Sequence, residues 1–430
     1  MELNFGIDDR PPLKDTFLYG IQWFITALPI IIIIGVVVRD LQGSGVDSHI
    51  YLQRLIFVMA MTLFIQLIWG HGLPLIVGPS AALLVGITVV TKAELNAAYT
   101  AITLGGLMVF LLGITGAFRY LQRIFTPRVV VAIIFLISVT LMPTVIRFIL
   151  WPGGGIFSLA FFLCLVMLAV ILHGCLKGMM KATALIWVMI GGSLLYYAFY
   201  PPLRAGELML PLLSLKFLSL GGNPFSFDGG VFVSFFFCFF ALTINEVASV
   251  QSVNELLHPP KGVLRVSRSL TVTGLANLCS GLLGVIGPVN YSLSPGMISS
   301  SRCASRFPLF VTASLLCFFA LSPHTIGLVN YIPPPVIGSV LAYLLGAQAV
   351  AGLTMWWEEE KKIDFDGGLV VMTPVVMATI VAFLPPSFLE KIPSFFRPVA
   401  GSGFVVGLIG VLVLDRFFAL LDSKNRIDDK

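Results

Sequence analysis

Long stretches without a single charge decide what this chain can become. From Thr16 to Val38, and again from Gly229 to Asn245, no Asp, Glu, Lys or Arg interrupts the apolar sequence. A bilayer core about 30 Å thick is crossed by roughly 20 apolar residues in a helix, and a helix in lipid satisfies its own backbone polar groups. Cutting the chain at charges, Pro/Gly clusters and polar gaps gives about fourteen such segments, near 17–38, 50–69, 73–91, 97–118, 127–150, 156–175, 180–200, 230–254, 265–286, 290–303, 306–324, 332–354, 368–385 and 399–421. Only 11% of the residues are charged, against roughly 25% in a soluble domain. Too few charges remain to cover a water-soluble enzyme of this length. The expected fold class is therefore an all-α polytopic membrane protein, with no segment left over for a soluble domain.

The formal charge of +5 raises the question of a nucleic-acid partner, but the basic residues are scattered among short loops and form no stripe with interleaved aromatics. Their distribution fits topology instead. Assigned to alternate sides of the segments, 18 of the 26 Lys and Arg fall on one side and 8 on the other. Basic loops stay preferentially cytoplasmic, so an even number of spans with both termini cytoplasmic is expected, in a bacterial inner membrane. The polar, acidic start MELNFGIDDRPPLKD is unlike a cleaved signal peptide, which makes the first apolar run a retained span. Cys164, Cys175, Cys238, Cys279, Cys303 and Cys317 lie in or beside apolar runs without a CxxC pair. They read as small buried hydrophobes, with no disulfide framework and no metal site.

Two segments break the helical pattern at the same dipeptide: the third, LPLIVGPSAALLVG, and the tenth, GVIGPVNYSLSPG. Gly-Pro followed by small or polar residues does not sustain a continuous helix. Gly78 and Gly287 are 209 residues apart, about half the chain. With seven segments per half, these are the third of each, and an odd number of spans turns the second half upside down, the inverted-repeat plan of many secondary transporters. The expected organisation is an N-terminal tail over 1–16, a first repeat over 17–225, a second over 226–421 and a C-terminal tail over 422–430. Paired interrupted segments point to a substrate site, because backbone groups exposed at a break are tolerated only inside protein or beside a water-filled cavity.

An ionisable group in mid-span costs at least about 2.5–3.5 kcal/mol, and most acids fall in loops, tails or span ends. Glu246 does not. A helix over about 230–256 is roughly 40 Å long, with Glu246 somewhat past its middle on a polar stripe with Thr243, Asn245, Ser249 and Asn254. Two roles stay open: a carboxylate that binds substrate and couples a proton to its uptake, or a structural hydrogen bond to backbone amides of a broken segment. Gln22-Trp23 pairs an amide with a stacking surface, although a Trp near a span end also suits an interfacial anchor. His71, His173, His258 and His324 read as solvated histidines at span ends, and Glu358 to Lys362 as a charged loop. No Walker motif or nucleophile elbow is present, so neither ATP-driven transport nor hydrolysis is expected.

Arg10-Pro11-Pro12-Leu13, Gln22, Gly78-Pro79-Ser80, Glu246, RSLTVTGLANLCSGLLG (Arg268 to Gly284), the stretch from Gly296 to Arg302 and IPPPVIG (Ile332 to Gly338) together carry a family likeness. The sequence resembles the nucleobase/ascorbate transporter (nucleobase:cation symporter-2) family of uracil and xanthine permeases, nearest to its purine-permease branch. The resemblance implies fourteen spans in a 7+7 inverted repeat, core and gate domains, short β-strands in segments three and ten, and a homodimer working by an elevator-like motion. It implies that Glu246 hydrogen-bonds the base and that Ser80 and Ala81, beside Gly78, offer backbone contacts. Two departures stand out. Relatives carry Gln-His where this chain has Gln22-Trp23, and an acid or amide followed by Asn where it has Leu293 and Ser294. The polar contacts on segment ten are left to Asn290, Tyr291, Ser292 or Ser294. The expectation is a proton-coupled uptake carrier, not an enzyme, for a purine nucleobase such as xanthine, urate or guanine, or for uracil. It needs no cofactor and binds no nucleic acid, and membrane lipid surrounds it. Rival readings are a sulfate- or bicarbonate-type anion carrier on the same fold, which Glu246 would disfavour by repulsion, and a non-transporting membrane protein.

Overall fold

In the computed structural model the described residues are 3–42, 48–121, 126–150, 155–177, 180–181, 183–201, 211–219, 225–360, 364–393 and 395–428. The uncharged runs become helices: α1 (Leu13–Gln42), α2 (Ser48–Ile68), a short α3 (Ala81–Val89), α4 (Leu95–Thr115), α5 (Pro127–Thr140), α6 (Met142–Ile149), α7 (Ile156–Cys175) and α8 (Ala184–Phe199). The second half supplies α9 (Gly229–Leu257), α10 (Gly262–Leu283), a short α11 (Ser294–Ser301), α12 (Phe307–Leu321), α13 (Pro334–Glu360), α14 (Phe365–Ala382) and α15 (Gly403–Asp428). Among the described residues nine helices are long and apolar enough to cross a membrane, and a pair bent by 83° at Ser322, Phe307–Leu321 with Pro323–Tyr331, brings the number to ten.

Caps and breakers in the sequence set the ends. Asp228 accepts from the Val231 N–H at 2.9 Å to start α9, satisfying a donor that the first helical turn leaves without a partner. Thr126 does the same for α5, ahead of Pro127 at the first helical position. The stretch expected as one span over 127–150 is one of these nine candidates, Pro127–Ile149, interrupted at Leu141 because Pro143 in the first turn of α6 has no N–H with which to continue the ladder of α5. α15 runs on to Asp428, past the expected span end at 421 and through most of the segment read as a tail. α13 likewise continues through Glu360, so the start of the charged run is helical; Lys361 and Lys362 lie outside the described residues.

Segments three and ten form β1 (Val77–Pro79) and β2 (Pro288–Asn290), which pair antiparallel with Val77 opposite Asn290, Gly78 opposite Val289 and Pro79 opposite Pro288. Proline donates no ladder bond, so both strands are short. Flanking bonds from Ser80 N to the Gly287 carbonyl and from Tyr291 N to the Ile76 carbonyl, each 2.9 Å, extend the pairing at both ends. Backbone that would be orphaned at the two breaks is thereby satisfied between halves of the chain.

The helices sort into two bodies by their contacts. α1, α2, α4, α9, α10 and α12 pack around the strands with α3, while α5, α6, α7, α8, α13, α14 and α15 pack together beside them. Each body draws on both halves of the sequence. They meet where α1 touches α8 and α13, where α3 touches α5, and where α9 touches α5 and α15. Within the first body α4 and α10 approach backbone to backbone: a Cβ at Gly274 would lie 2.2 Å from the Phe110 nitrogen, and one at Gly106 would lie 2.3 Å from that of Leu278. The N-terminal residues lie along the linker after α11. Asn4 N donates to the Arg302 carbonyl, Ala304 N to Phe5, and Arg306 N to Ile7, and Arg306 also pairs with Asp8 at 2.8 Å. Of the cysteines, only Cys238 and Cys303 are buried. Cys164, Cys175 and Cys279 face outward and Cys317 is half-buried, because an apolar side chain on a lipid-facing helix surface has no need of a protein core.

Candidate functional site

The antiparallel pairing fixes where the two short helices begin. Ser80 follows β1 and caps α3, its Oγ accepting from Leu83 N at 3.4 Å. α11 begins at Ser294, three residues beyond Tyr291, at the other end of a ribbon only about 10 Å long. Each start presents backbone N–H groups and the positive end of a helix dipole inside the first body.

Behind this ribbon lies a polar network built around Glu246, which is 0% exposed. Oε1 accepts from Ser269 Oγ at 2.5 Å, Thr273 Oγ1 at 2.8 Å and Asn290 Nδ2 at 2.6 Å. Oε2 accepts from the backbone N–H of Asn290 at 2.8 Å. Ser269 and Thr273 stand one turn apart on α10 and therefore share the face toward α9. From α2, Gln66 Nε2 donates to the Ser269 carbonyl and to Thr273 Oγ1, at 3.1 and 3.0 Å. Asn277 Nδ2, a further turn along α10, donates to Thr273 O and to the Pro288 carbonyl at 2.8 and 2.9 Å, holding the start of β2. A buried carboxylate needs such partners to be tolerated. Of the two roles left open by the sequence, the hydrogen bond to a backbone amide of the broken tenth segment is present. Oε2 carries that bond alone.

The other candidates divide. Asn290 points its side chain into this network and is fully buried. Ser249 Oγ donates to the Asn290 carbonyl at 3.0 Å and lies 2.8 Å from the exposed Ser292 hydroxyl. The Tyr291 ring covers Gly78, where a Cβ would fall 2.4 Å from it, and its hydroxyl donates to the Pro79 carbonyl at 2.8 Å. Buried Ser294 accepts from Ile76 N at 3.1 Å and donates to the Tyr291 carbonyl at 3.0 Å, so it fastens α11 to β1. Ala81 is half-buried at the start of α3, and Leu293 is exposed. Gln22 and Trp23 are both buried on α1, which packs on β1 and α3. Trp23 is therefore not turned outward as an interfacial anchor would be: it is packed inside the first body.

His71 is a second correction, being fully buried where a solvated histidine was expected. The turn after α2 folds inward under Arg265, whose guanidinium donates to the His71 carbonyl at 2.5 Å. His173, by contrast, is exposed and lies 2.9 Å from the Tyr343 hydroxyl. Sequence reasoning missed Gln66, Ser269 and Thr273 as parts of the site. The spacing of Ser269, Thr273, Asn277 and Ser280 along one face of an otherwise apolar segment was a signal that could have found two of them.

Comparison with known proteins adds the following. The model of the Permease family (Xan_ur_permease) matches residues 14–387. The provisionally named purine permease CPE0397 of Clostridium perfringens is 24% identical, over 96% of this chain and 93% of its own. Uric acid permease PucK of Bacillus subtilis is 22% identical, over 93% of this chain and 95% of its own. Among solved structures, the transmembrane domain of the cyanobacterial bicarbonate transporter BicA superposes with a TM-score of 0.62 at 16% identity, over 88% of this chain and 98% of that one. This last likeness is one of fold.

Proposed function

This chain belongs to the Permease family, and on that premise we propose that it is a secondary active carrier for the uptake of a purine nucleobase, of the xanthine, urate or guanine type, or of uracil, coupled to a proton. A transporter and not an enzyme, it is an integral multi-pass membrane protein. The observation that carries the substrate reading is the ribbon itself: two helix starts and two strand edges on one side, a carboxylate on the other. Ring amides of a base need paired donors and acceptors; the first N–H groups of α3, at Ala81 and Ala82 behind the Ser80 cap, supply donors, and the Glu246 carboxylate supplies an acceptor. Oε2 of Glu246, with one bond made, retains a lone pair for a ring N–H and can take up a proton. The purine and uric acid permeases named among the relatives support this class of substrate. The fourteen segments, seven to a half and opposed in direction, the cytoplasmic termini, the inner-membrane location and a homodimer with core and gate bodies belong to the same reading. The division of helices into two bodies, each drawn from both halves, supports the inverted repeat.

Uptake of labelled xanthine, urate, guanine and uracil into cells making the wild type or Glu246→Gln, at external pH 5.5 and 7.5, tests it. The wild type should accumulate one of these bases faster at the lower pH. Glu246→Gln should lose at least about 10-fold in uptake together with the pH response. Accumulation of sulfate or bicarbonate with no base would turn the reading to the anion carrier, and no flux of either would turn it to a non-transporting protein.

A further inference from the structure

His71 lies outside everything the proposed transport cycle uses, yet it is buried beside it. Its tautomer is set by the fold: Nδ1 accepts from the Leu73 N–H at 2.8 Å, so the neutral ring carries its proton on Nε2. The backbone on either side is fixed as well. His71 N donates to Gln66 Oε1 at 3.3 Å, Gly72 N to the Gln66 carbonyl at 2.9 Å, and Arg265 holds the His71 carbonyl. A buried donor is thus left without a hydrogen-bond partner. His71 and Asn290 belong to one buried cluster: Gln66, which accepts from His71 N, donates to the Ser269 carbonyl, and Ser269 Oγ accepts from Asn290 Nδ2. Asn290 Oδ1 is likewise buried with no partner at hydrogen-bond distance, whereas Asn290 Nδ2 donates to Glu246 Oε1 and, at 3.0 Å, to Ser269 Oγ. An orphaned donor and an orphaned acceptor thus share one buried cluster, and leaving both unmade there carries their full desolvation cost.

We infer that His71 is a positioning residue for Glu246: its Nε2–H holds the Asn290 amide with the oxygen turned away from the carboxylate and the nitrogen turned toward it. An amide is nearly symmetric in shape, so packing alone does not choose between its two orientations. Flipped, it would set Oδ1 against Oε1, two acceptors face to face, and the carboxylate would lose a donor and its alignment on the ribbon. A hydrogen on Nε2 forbids the flip by the same logic, since the amide NH2 would then face a donor. The chain of direction runs from Leu73 N–H through the imidazole and Asn290 to Glu246.

This inference rests on the transport reading only for its kinetic consequence, so the test has two arms. In the first, wild type, His71→Gln, His71→Leu, Asn290→Ala and the double variant His71→Leu/Asn290→Ala are compared for uptake of the base the wild type accumulates, normalised to protein in the membrane. Glutamine keeps an N–H near the Nε2 position and should stay within about 2-fold of wild type. Leucine should raise KM about 10-fold, and it should add nothing in the Asn290→Ala background, where the residue it acts through is gone. Equal losses in His71→Gln and His71→Leu, or a full additional loss in the double variant, would overturn the inference. The second arm needs no substrate: 15N-histidine spectra of the purified wild type should contain a neutral ring protonated at Nε2 whose resonance is absent in His71→Gln and shifted in Asn290→Ala. A proton on Nδ1, or a resonance indifferent to Asn290→Ala, would refute it even in a protein that carries no base. A wild type without base uptake but with the expected spectrum would remove the transport reading and leave the positioning of Glu246 standing.

Discussion

At the scale of single residues, the energetics concentrate on one carboxylate. A hydrogen bond to a charged group contributes roughly 1.5–3 kcal/mol, and Glu246 has four donors. Ser269→Ala and Thr273→Val each remove one and leave the rest of α10 unchanged. Each should lower the melting temperature of the purified protein and cut uptake several-fold. Ser300→Ala, which loses only a bond to a carbonyl of its own helix, should do neither; equal behaviour of all three variants would mean that the network does not hold the site. Glu246 stood out in the sequence because it was the one acid that no loop, tail or span end could absorb. Its partners did not stand out, since Ser, Thr and Gln cost little in an apolar helix and any of them could have bonded a carbonyl of its own turn, as Thr243 does to Phe239. His71 was misread for a related reason: proximity to Trp69-Gly70 and a span end says nothing about which way the following turn folds.

At the scale of elements, the two Gly-Pro breaks and the glycine-lined contact of α4 with α10 do the positioning. Backbone-to-backbone approach leaves no room for a methyl group: a Cβ at Gly274 would also lie 2.5 Å from the Phe110 Cα, and a rigid helix cannot yield locally as a side chain can. Gly274→Ala should therefore push α10 from α4, displacing Ser269 and Thr273 from Glu246, with loss of thermal stability and of uptake together. Gly191→Ala on α8, where a Cβ meets nothing within 4 Å, should be neutral or gain slightly from helix propensity. Comparison of the two melting curves checks the argument. The break at Gly78 and Gly287 was legible because Gly-Pro is a local instruction. Short strands in these two segments were expected only through a family likeness, and their antiparallel pairing with each other was not foreseen, since nothing in either segment specifies its partner.

At the scale of the whole molecule, residues of the larger basic set gather at the end of the molecule where the N-terminal tail lies. Arg306 pairs with Asp8 and donates to the Leu67 carbonyl at 3.0 Å, and Arg265 reaches the turn at His71 and Gly72. From the smaller set, Arg54 clamps the Phe217, Ser219 and Leu283 carbonyls at 2.8, 2.7 and 2.9 Å. In a variant with the native cysteines replaced, Lys216→Cys should react with a membrane-impermeant maleimide in intact cells, and Lys14→Cys only after permeabilisation. Both side chains are exposed; the reverse pattern would invert the proposed orientation.

By itself the sequence determined that this chain lives in lipid, where it is cut into helices, where two of those helices break, and which acid lies in mid-span. Each of these follows from local composition, because apolar length, proline, glycine and charge act on the chain within a few residues of where they stand. Tertiary structure alone decided that Glu246 is held by α10 and by the backbone of β2, that Trp23 and His71 are buried, and that each helical body mixes both halves of the chain. Those outcomes depend on contacts between residues far apart in sequence. A hydroxyl, an amide or an imidazole can be satisfied in several ways, and only the packing of one helix against another selects which.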